Sequence, residues 1–170
     1  MRYYVNPNGT YAGAWWNGQP EVSSGLTEVP TPPEHMSQVW NGSAWADTDA
    51  TTEWRLAGIN DAVKSHLDSV ATNLGYDDMA TAITYASDDT NPAWQAEAIA
   101  LRKFRGVAWM AVNTYLDATP NPTQTGALAA VPQVQSVVGF ENYRAMILRR
   151  AADIAPSDPA AALLLRQSVA

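Results

Sequence analysis

The chain has 170 residues, of which 46% are hydrophobic, with seven tryptophans, no cysteine and a formal charge of −7. That much apolar material buries a core and excludes a disordered chain, while the absence of cysteine excludes disulfides, thiolate metal sites and cysteine nucleophiles. Between Arg2 and Arg55 there is no Lys or Arg, yet Glu21, Glu28, Glu34, Asp47, Asp49 and Glu53 all fall there, so the amino-terminal third is unsuited to phosphates and nucleic acid is not an expected partner.

Taken in chain order, residues 2–5 and 11–16 read as strands around a turn at Asn6-Pro7-Asn8-Gly9. Four tryptophans then lie close to Asn-Gly pairs, in Trp15-Trp16-Asn17-Gly18 and in Val39-Trp40-Asn41-Gly42-Ser43-Ala44-Trp45. Asn-Gly supplies the two positive-φ positions of a tight hairpin turn, and Trp and Tyr suit a half-buried pleated surface. The spacing therefore predicts a two-residue hairpin around Asn41-Gly42. Residues 20–35 are polar and rich in proline, with Val29-Pro30-Thr31-Pro32-Pro33-Glu34, and predict an extended connector or a sheet edge.

From Asp47 the pattern changes to a helical period. Asp47, Thr48, Asp49, Thr51 and Thr52 all offer N-caps. With Thr52 as cap, a helix runs from about Glu53 to Leu74, with Leu56, Ile59, Val63, Leu67, Val70 and Leu74 on one face and Gly75 as its stop. Asp77 or Asp78 starts a short second helix through Met79, Ile83 and Tyr85. Asn91-Pro92 starts a third to about Leu116, carrying Leu101, Phe104, Ala108, Val112 and Tyr115 on one face, widened by Trp94 and Trp109. Residues 119–139 give the weakest pattern. A helix follows near Phe140 to Ile154, and Asp158-Pro159 opens a last one to about Val169. The expected fold is α+β: a small antiparallel β-hairpin module, then a mainly α-helical bundle. Three parts are expected: an aromatic β head with its Pro-rich connector at 1–46, a helical body at 47–118 and a helical extension at 119–170.

Catalytic and metal motifs fail on their geometry. Asp47-Thr48-Asp49 opens like a Ca²⁺ loop, but the sixth and twelfth positions are Thr52 and Gly58, where Gly and Glu are required. His35 and His66 are the only imidazoles and form no paired-ligand motif. Ser65, His66 and Asp68 lie on one helix, which cannot set a base between nucleophile and orienter. No Gly-rich phosphate fingerprint follows a strand. Asp77-Asp78 and Asp88-Asp89 precede helices, where acids favour the N-terminal dipole. The arginine groups Arg102-Lys103-Arg105 and Arg144, Arg149, Arg150 read as solvated helix faces. No catalytic residue, metal ligand or cofactor is expected.

The aromatic set is the exception. Tyr4, Tyr11, Trp15, Trp16, Trp40 and Trp45, with Tyr3, are too many to hide inside a small sheet. In an alternating strand Trp15 and Trp16 point to opposite faces. Either the helical body covers these rings or they form a contact surface for protein or sugar. The six residues are the expected partner-binding set. No leader segment is expected from the opening Met1-Arg2-Tyr3-Tyr4, and apolar runs such as residues 160–165 are too short to span a bilayer. No membrane partner is expected, and with cysteine absent, folding inside a cell is.

The phrases Gly75-Tyr76-Asp77-Asp78-Met79, Ala82-Ile83-Thr84-Tyr85-Ala86-Ser87, Asn91-Pro92-Ala93-Trp94-Gln95-Ala96-Glu97-Ala98 and Arg105-Gly106-Val107-Ala108-Trp109 resemble a segment recurrent in tail proteins of tailed bacteriophages. The head, with Tyr4-Val5-Asn6-Pro7-Asn8-Gly9, Val29-Pro30 and Trp40-Asn41-Gly42-Ser43-Ala44-Trp45, is similar to the opening of tail-fibre assembly and fibre-associated proteins. The resemblance implies a non-enzymatic role: a chaperone that helps a fibre trimerise, or a fibre-associated protein in an oligomeric assembly. It implies work in the host cytoplasm during assembly. A permanent tail or baseplate subunit retained in the virion, and a carbohydrate-binding head that touches the host surface, are the alternatives.

Overall fold

The computed structural model describes residues 1–16, 25–88 and 90–170. The expected turn at Asn17-Gly18, Glu21 and Asp89 lie outside the described residues. The fold is α+β, with antiparallel strands first and helices after them. The chain divides into two compact units, Met1–Gly58 and Ile59–Ala170. No helix among the described residues is long and apolar enough to cross a membrane.

In the first unit β1 (Arg2–Val5) is flanked by β2 (Tyr11–Trp15) and β3 (Thr27–Val29), both antiparallel to it. The β1–β2 turn uses its sequence as follows. Gly9 N–H donates to the Asn6 carbonyl at 2.8 Å, Asn6 N–H donates to the Thr10 carbonyl at 2.9 Å, and Gly9 takes φ +82°. Only glycine adopts that angle without strain. Gly9 is also where the second hairpin arrives: Trp40 N–H donates to its carbonyl at 2.8 Å, and a Cβ there would run into the Trp40 carbonyl oxygen. The Pro-rich stretch supplies β3 as an edge strand that ends at Pro30, as a residue without a donor requires.

The second hairpin departs from its expected turn. β4 (Val39–Trp40) pairs with β5 (Trp45–Ala46) in the register Trp40↔Trp45, which leaves Asn41 to Ala44 as the loop. Among the described residues no side chain but glycine's hydrogen sits at positive φ, and Gly42 takes φ +102°. Asn41 instead works through its amide: Oδ1 accepts from Ser43 N–H, Ser43 Oγ and Ala44 N–H, each at 3.0 Å. Asparagine's side-chain oxygen mimics a backbone acceptor, so the turn closes without left-handed asparagine.

α1 runs Asp49–Asn73, four residues earlier than the Thr52 cap predicts. Thr48 is the cap. Thr51 N–H donates to Thr48 Oγ1 at 3.3 Å, and Thr48 N–H donates back to Thr51 Oγ1 at 3.4 Å. This reciprocal pair is a capping box with threonine in the place usually held by Glu. The helix stops as expected. Gly75 has φ +95°, its N–H donates to the Thr72 carbonyl at 3.0 Å, and Tyr76 N–H reaches back to the Ala71 carbonyl at 3.1 Å. Those two bonds make a Schellman closure.

In the second unit α2 (Met79–Thr84) is capped by Asp78 and followed by a 3-10 turn, Tyr85–Ser87. α3 (Pro92–Ala118) is capped by Asn91 with proline in the first turn. The weakly patterned segment forms α4 (Gln124–Ala130), capped by Thr123, and α5 (Val134–Val138). α6 (Phe140–Ile154) and α7 (Pro159–Gln167), the latter capped by Asp158, complete the chain. α3 packs against α2, α4 and α5, and α6 packs against α5 and α7. The predicted stripes meet in one core: Ile59, Val63, Leu67, Leu74, Leu101, Phe104, Ala108 and Val112, joined by Ala127, Val138, Met146, Ile147 and Val169. Residues beyond 119 therefore share the core of the helices before them.

Candidate functional site

Five of the six aromatic residues form two groups on the hairpins of the first unit, and Trp16 stands outside both. Tyr4 and Trp15 form one, edge-to-face with centroids 5.1 Å apart. Tyr11, Trp45 and Trp40 form the other, a row of edge contacts at 6.1 and 5.6 Å. Edge-to-face pairs of this kind add about 0.5–1.5 kcal/mol beyond the area they bury. Trp45 Nε1 also donates to the Thr31 carbonyl at 2.9 Å, tying the Pro-rich stretch to the hairpin.

Their exposure separates them by role. Trp16 is 78% exposed, while Trp15, Trp40, Trp45 and Tyr11 are half-buried. β2 ends at Trp15, one residue short of the expected strand, so half-buried Trp15 closes the strand and Trp16 stands just past it in solvent. Tyr4 is only 4% exposed, and its hydroxyl has no hydrogen-bond partner among the described residues. It offers no surface to a partner in this conformation, and its ring supports Trp15 from beneath.

The sequence reading missed what holds this surface in place. Gln38 is buried, and its side chain serves three polar atoms. Its Oε1 accepts from Glu34 N–H at 2.7 Å and His35 N–H at 3.2 Å, and its Nε2 donates to Asp47 Oδ1 at 2.7 Å. Arg55, from the first turns of α1, pairs with Asp47 and with Glu34, the latter at 3.0 Å. The Arg55 hydrogen bond holds the Asp47 carboxyl below the usual carboxylate range against the opposing pull of burial. Thr51 is fully buried and shares its hydroxyl with Ser37 at 2.9 Å. Trp54 lies stacked on His35 at 4.5 Å and is itself exposed, as is Met36. Both extend the apolar surface of this unit, and neither sits in a periodic pattern that sequence reading would pick out.

The second unit carries a different polar centre. Glu97 is buried on the apolar face of α3. Arg149 of α6 grips it with two bonds of 2.6 Å, from Nε to Oε1 and from Nη2 to Oε2. Tyr76 Oη donates to Glu97 Oε2 at 2.8 Å. Arg149 also donates to the Leu74 carbonyl at 3.4 Å and to Asp153 Oδ2 at 2.7 Å, and its guanidinium stands 5.9 Å from the Tyr76 ring centre. Burial, then the bond to Glu97, pushes the Tyr76 phenol up, and the same carboxylate raises Arg149. Arg149 is therefore no solvated surface charge. An acid at Glu97, in register with Leu101 and Phe104, is the one signal that could have found this centre.

Arg149 lines two cavities. One, of about 640 Å³, runs along α3 and α6 over Ala96, Ala100, Ala145 and Met146. The other, of about 130 Å³, sits at the end of α1 beside Gly75, Tyr85 and Trp94. Among the described residues no three His, Asp or Glu side chains come together to hold a metal ion. No family model, no curated protein and no solved structure matches the chain. Its function is therefore argued from its own residues.

Proposed function

We propose that this chain is a bacteriophage tail-fibre assembly or fibre-associated protein, non-enzymatic, that grips a fibre chain through the aromatic face of its first unit. The observation that carries the reading is Trp16, 78% exposed at the end of β2 on a hairpin whose other rings are half-buried. Tryptophan is enriched among the residues that carry interface energy, and this one stands beside further part-exposed rings. Trp15, Trp40, Trp45 and Tyr11 are half-buried on the hairpins, and Tyr4 supports Trp15. Glu28, Glu34, Asp49 and Glu53 are exposed in the same unit and give it an acidic character that favours a partner with basic residues at its rim. The resemblance of the head and of the Gly75–Trp109 phrases to phage tail proteins supplies the class of partner.

Co-expression with the fibre chain encoded beside it tests the reading. The expected result is a higher yield of soluble fibre trimer with this chain co-purifying. Trp16→Ala should weaken capture by at least tenfold, in line with about 2 kcal/mol for an aromatic anchor. The same variant should shift stability by no more than about 0.5 kcal/mol, as a surface change does. Unchanged trimer yield with no co-purification overturns the proposal.

A further inference from the structure

The smaller cavity lies within the second unit and shares no residue with the aromatic set of the first. Its walls come from four places: Gly75 and Tyr76 after α1, Tyr85 in the 3-10 turn, Trp94 in the first turn of α3, and Arg150 and Asp153 from α6. Most of these residues are the ones that carry the second half of the phage-tail resemblance, brought together by the fold.

The floor of this cleft is built and complete. The Schellman closure fixes Gly75, and both oxygens of Glu97 are taken by Arg149 and Tyr76. Tyr76, Tyr85 and Trp94 form a run of rings, with centroids 5.8 and 5.3 Å apart. The rim is where bonding capacity remains. Arg150 lies across Gly75 so closely that a Cβ there would meet its Nη1 at 2.9 Å. It forms no ion pair among the described residues. Asp153 gives Oδ2 to Arg149, and its half-exposed side chain keeps Oδ1 for another donor. Trp94 is held edge-to-face against Tyr85 and is still 38% exposed.

This set selects a ligand by chemistry. An alkyl chain would leave the guanidinium and the carboxylate unanswered. A simple anion would meet Asp153, a simple cation would meet Arg150, and neither would use the indole. A pyranose uses all three groups. Its C–H face stacks on an aromatic ring, and its neighbouring hydroxyls both donate and accept, so one planar acceptor and one planar donor can bridge them. A cleft of about 130 Å³ is well below the size that holds a drug-sized molecule and suits a single ring. The geometry points to a binding site for one hexopyranose unit, with Trp94 against its apolar face, Asp153 accepting from one hydroxyl and Arg150 donating to the next.

The test is an NMR titration of the full isotope-labelled chain with the methyl glycosides of glucose, galactose, mannose and N-acetylglucosamine. Saturable shifts at the Trp94 indole and the Arg150 guanidinium, with one glycoside preferred, are expected. Trp94→Ala and Asp153→Asn should each weaken that binding about tenfold, the scale of one lost hydrogen bond or stacking contact, with unchanged far-ultraviolet circular dichroism. Asp153→Asn changes a half-exposed side chain, so it keeps the test open if Trp94→Ala folds poorly. Absence of saturable shifts with every glycoside overturns the site, as do shifts that map to the first unit and survive both substitutions. Fibre capture is read separately by co-purification, so either proposal can fail alone.

Discussion

In Ile59–Ala170 the helical stripes close on one another until Ile59, Val63, Leu101, Phe104, Ala108 and Val112 show no surface at all. In Met1–Gly58 the buried apolar side chains among the described residues are Tyr4, Val5 and Val29. Beyond these and its aromatic pairs, that unit is held by polar contacts: side-chain-closed turns, the Thr48–Thr51 cap and the Gln38 cluster. The contrast follows from geometry. A helix of 27 residues such as α3 offers a long stripe for burial, whereas strands of two to five residues cannot cover indoles on both faces. A unit fastened in part by hydrogen bonds can leave its rings partly in water, as the proposed fibre contact requires.

The strongest way to break this comparison is Phe104→Ala. Phe104 is fully buried, and its truncation should cost about 4 kcal/mol through lost burial and a residual cavity. Hydrogen exchange should show amides of residues 59–170 losing protection while those of residues 2–46 keep theirs. Equal loss in both would mean that the units unfold as one.

Gln38→Ala is the matching cut in the first unit. It strands the Glu34 and His35 N–H groups and removes one of the two donors to Asp47 Oδ1, and should cost about 2 kcal/mol. Urea unfolding followed by exchange at residues 34–55 checks it, and an unchanged midpoint would show that the cluster contributes little.

Acid gives the smallest effect. Asp47 is depressed in the folded state by Arg55, so its contribution is fully present above the ordinary carboxylate value of 3.8 and is lost as pH falls through the lower folded value. Stability worth no more than about 1 kcal/mol should disappear below about pH 4. Carbon-detected titration of the Asp47 carboxyl, compared between the native chain and Arg55→Ala, reads this directly. An Asp47 midpoint that Arg55→Ala leaves in place would remove the ion pair as its cause.

Much of the fold was legible because local signals were strong. Asn91-Pro92, Asp158-Pro159 and Gly75 fixed helix ends through caps and a positive φ, and the three- and four-residue spacing of Leu101, Phe104 and Ala108 marked the core face. The start of α1 was misplaced because several adjacent residues could cap it, and only the reciprocal Thr48–Thr51 bonds choose among them. Asn41 was read as a backbone device when its amide oxygen does the closing. The aromatic residues of the head were visible as a set, but which ring stays in water was not, since that depends on Tyr4 lying in the central strand and Trp16 lying just past the end of β2. Arg149 was opaque for another reason: its acid lies 52 residues away, and no local pattern encodes a contact of that range.

One side chain joins the end of α1, the face of α3 and its own helix at a single point. The Arg149 guanidinium meets Glu97 twice, the Leu74 carbonyl and Asp153 at once, from three nitrogens held in one plane. An ammonium has its donors on one atom and cannot reach that spread of acceptors. The exchange of arginine for lysine, harmless on most helix exteriors, would here keep the charge yet break the two-pronged grip on a buried carboxylate that would retain only its bond from Tyr76 unchanged. The position is a single point of failure, and drift in this sequence has no like-charged substitute to pass through.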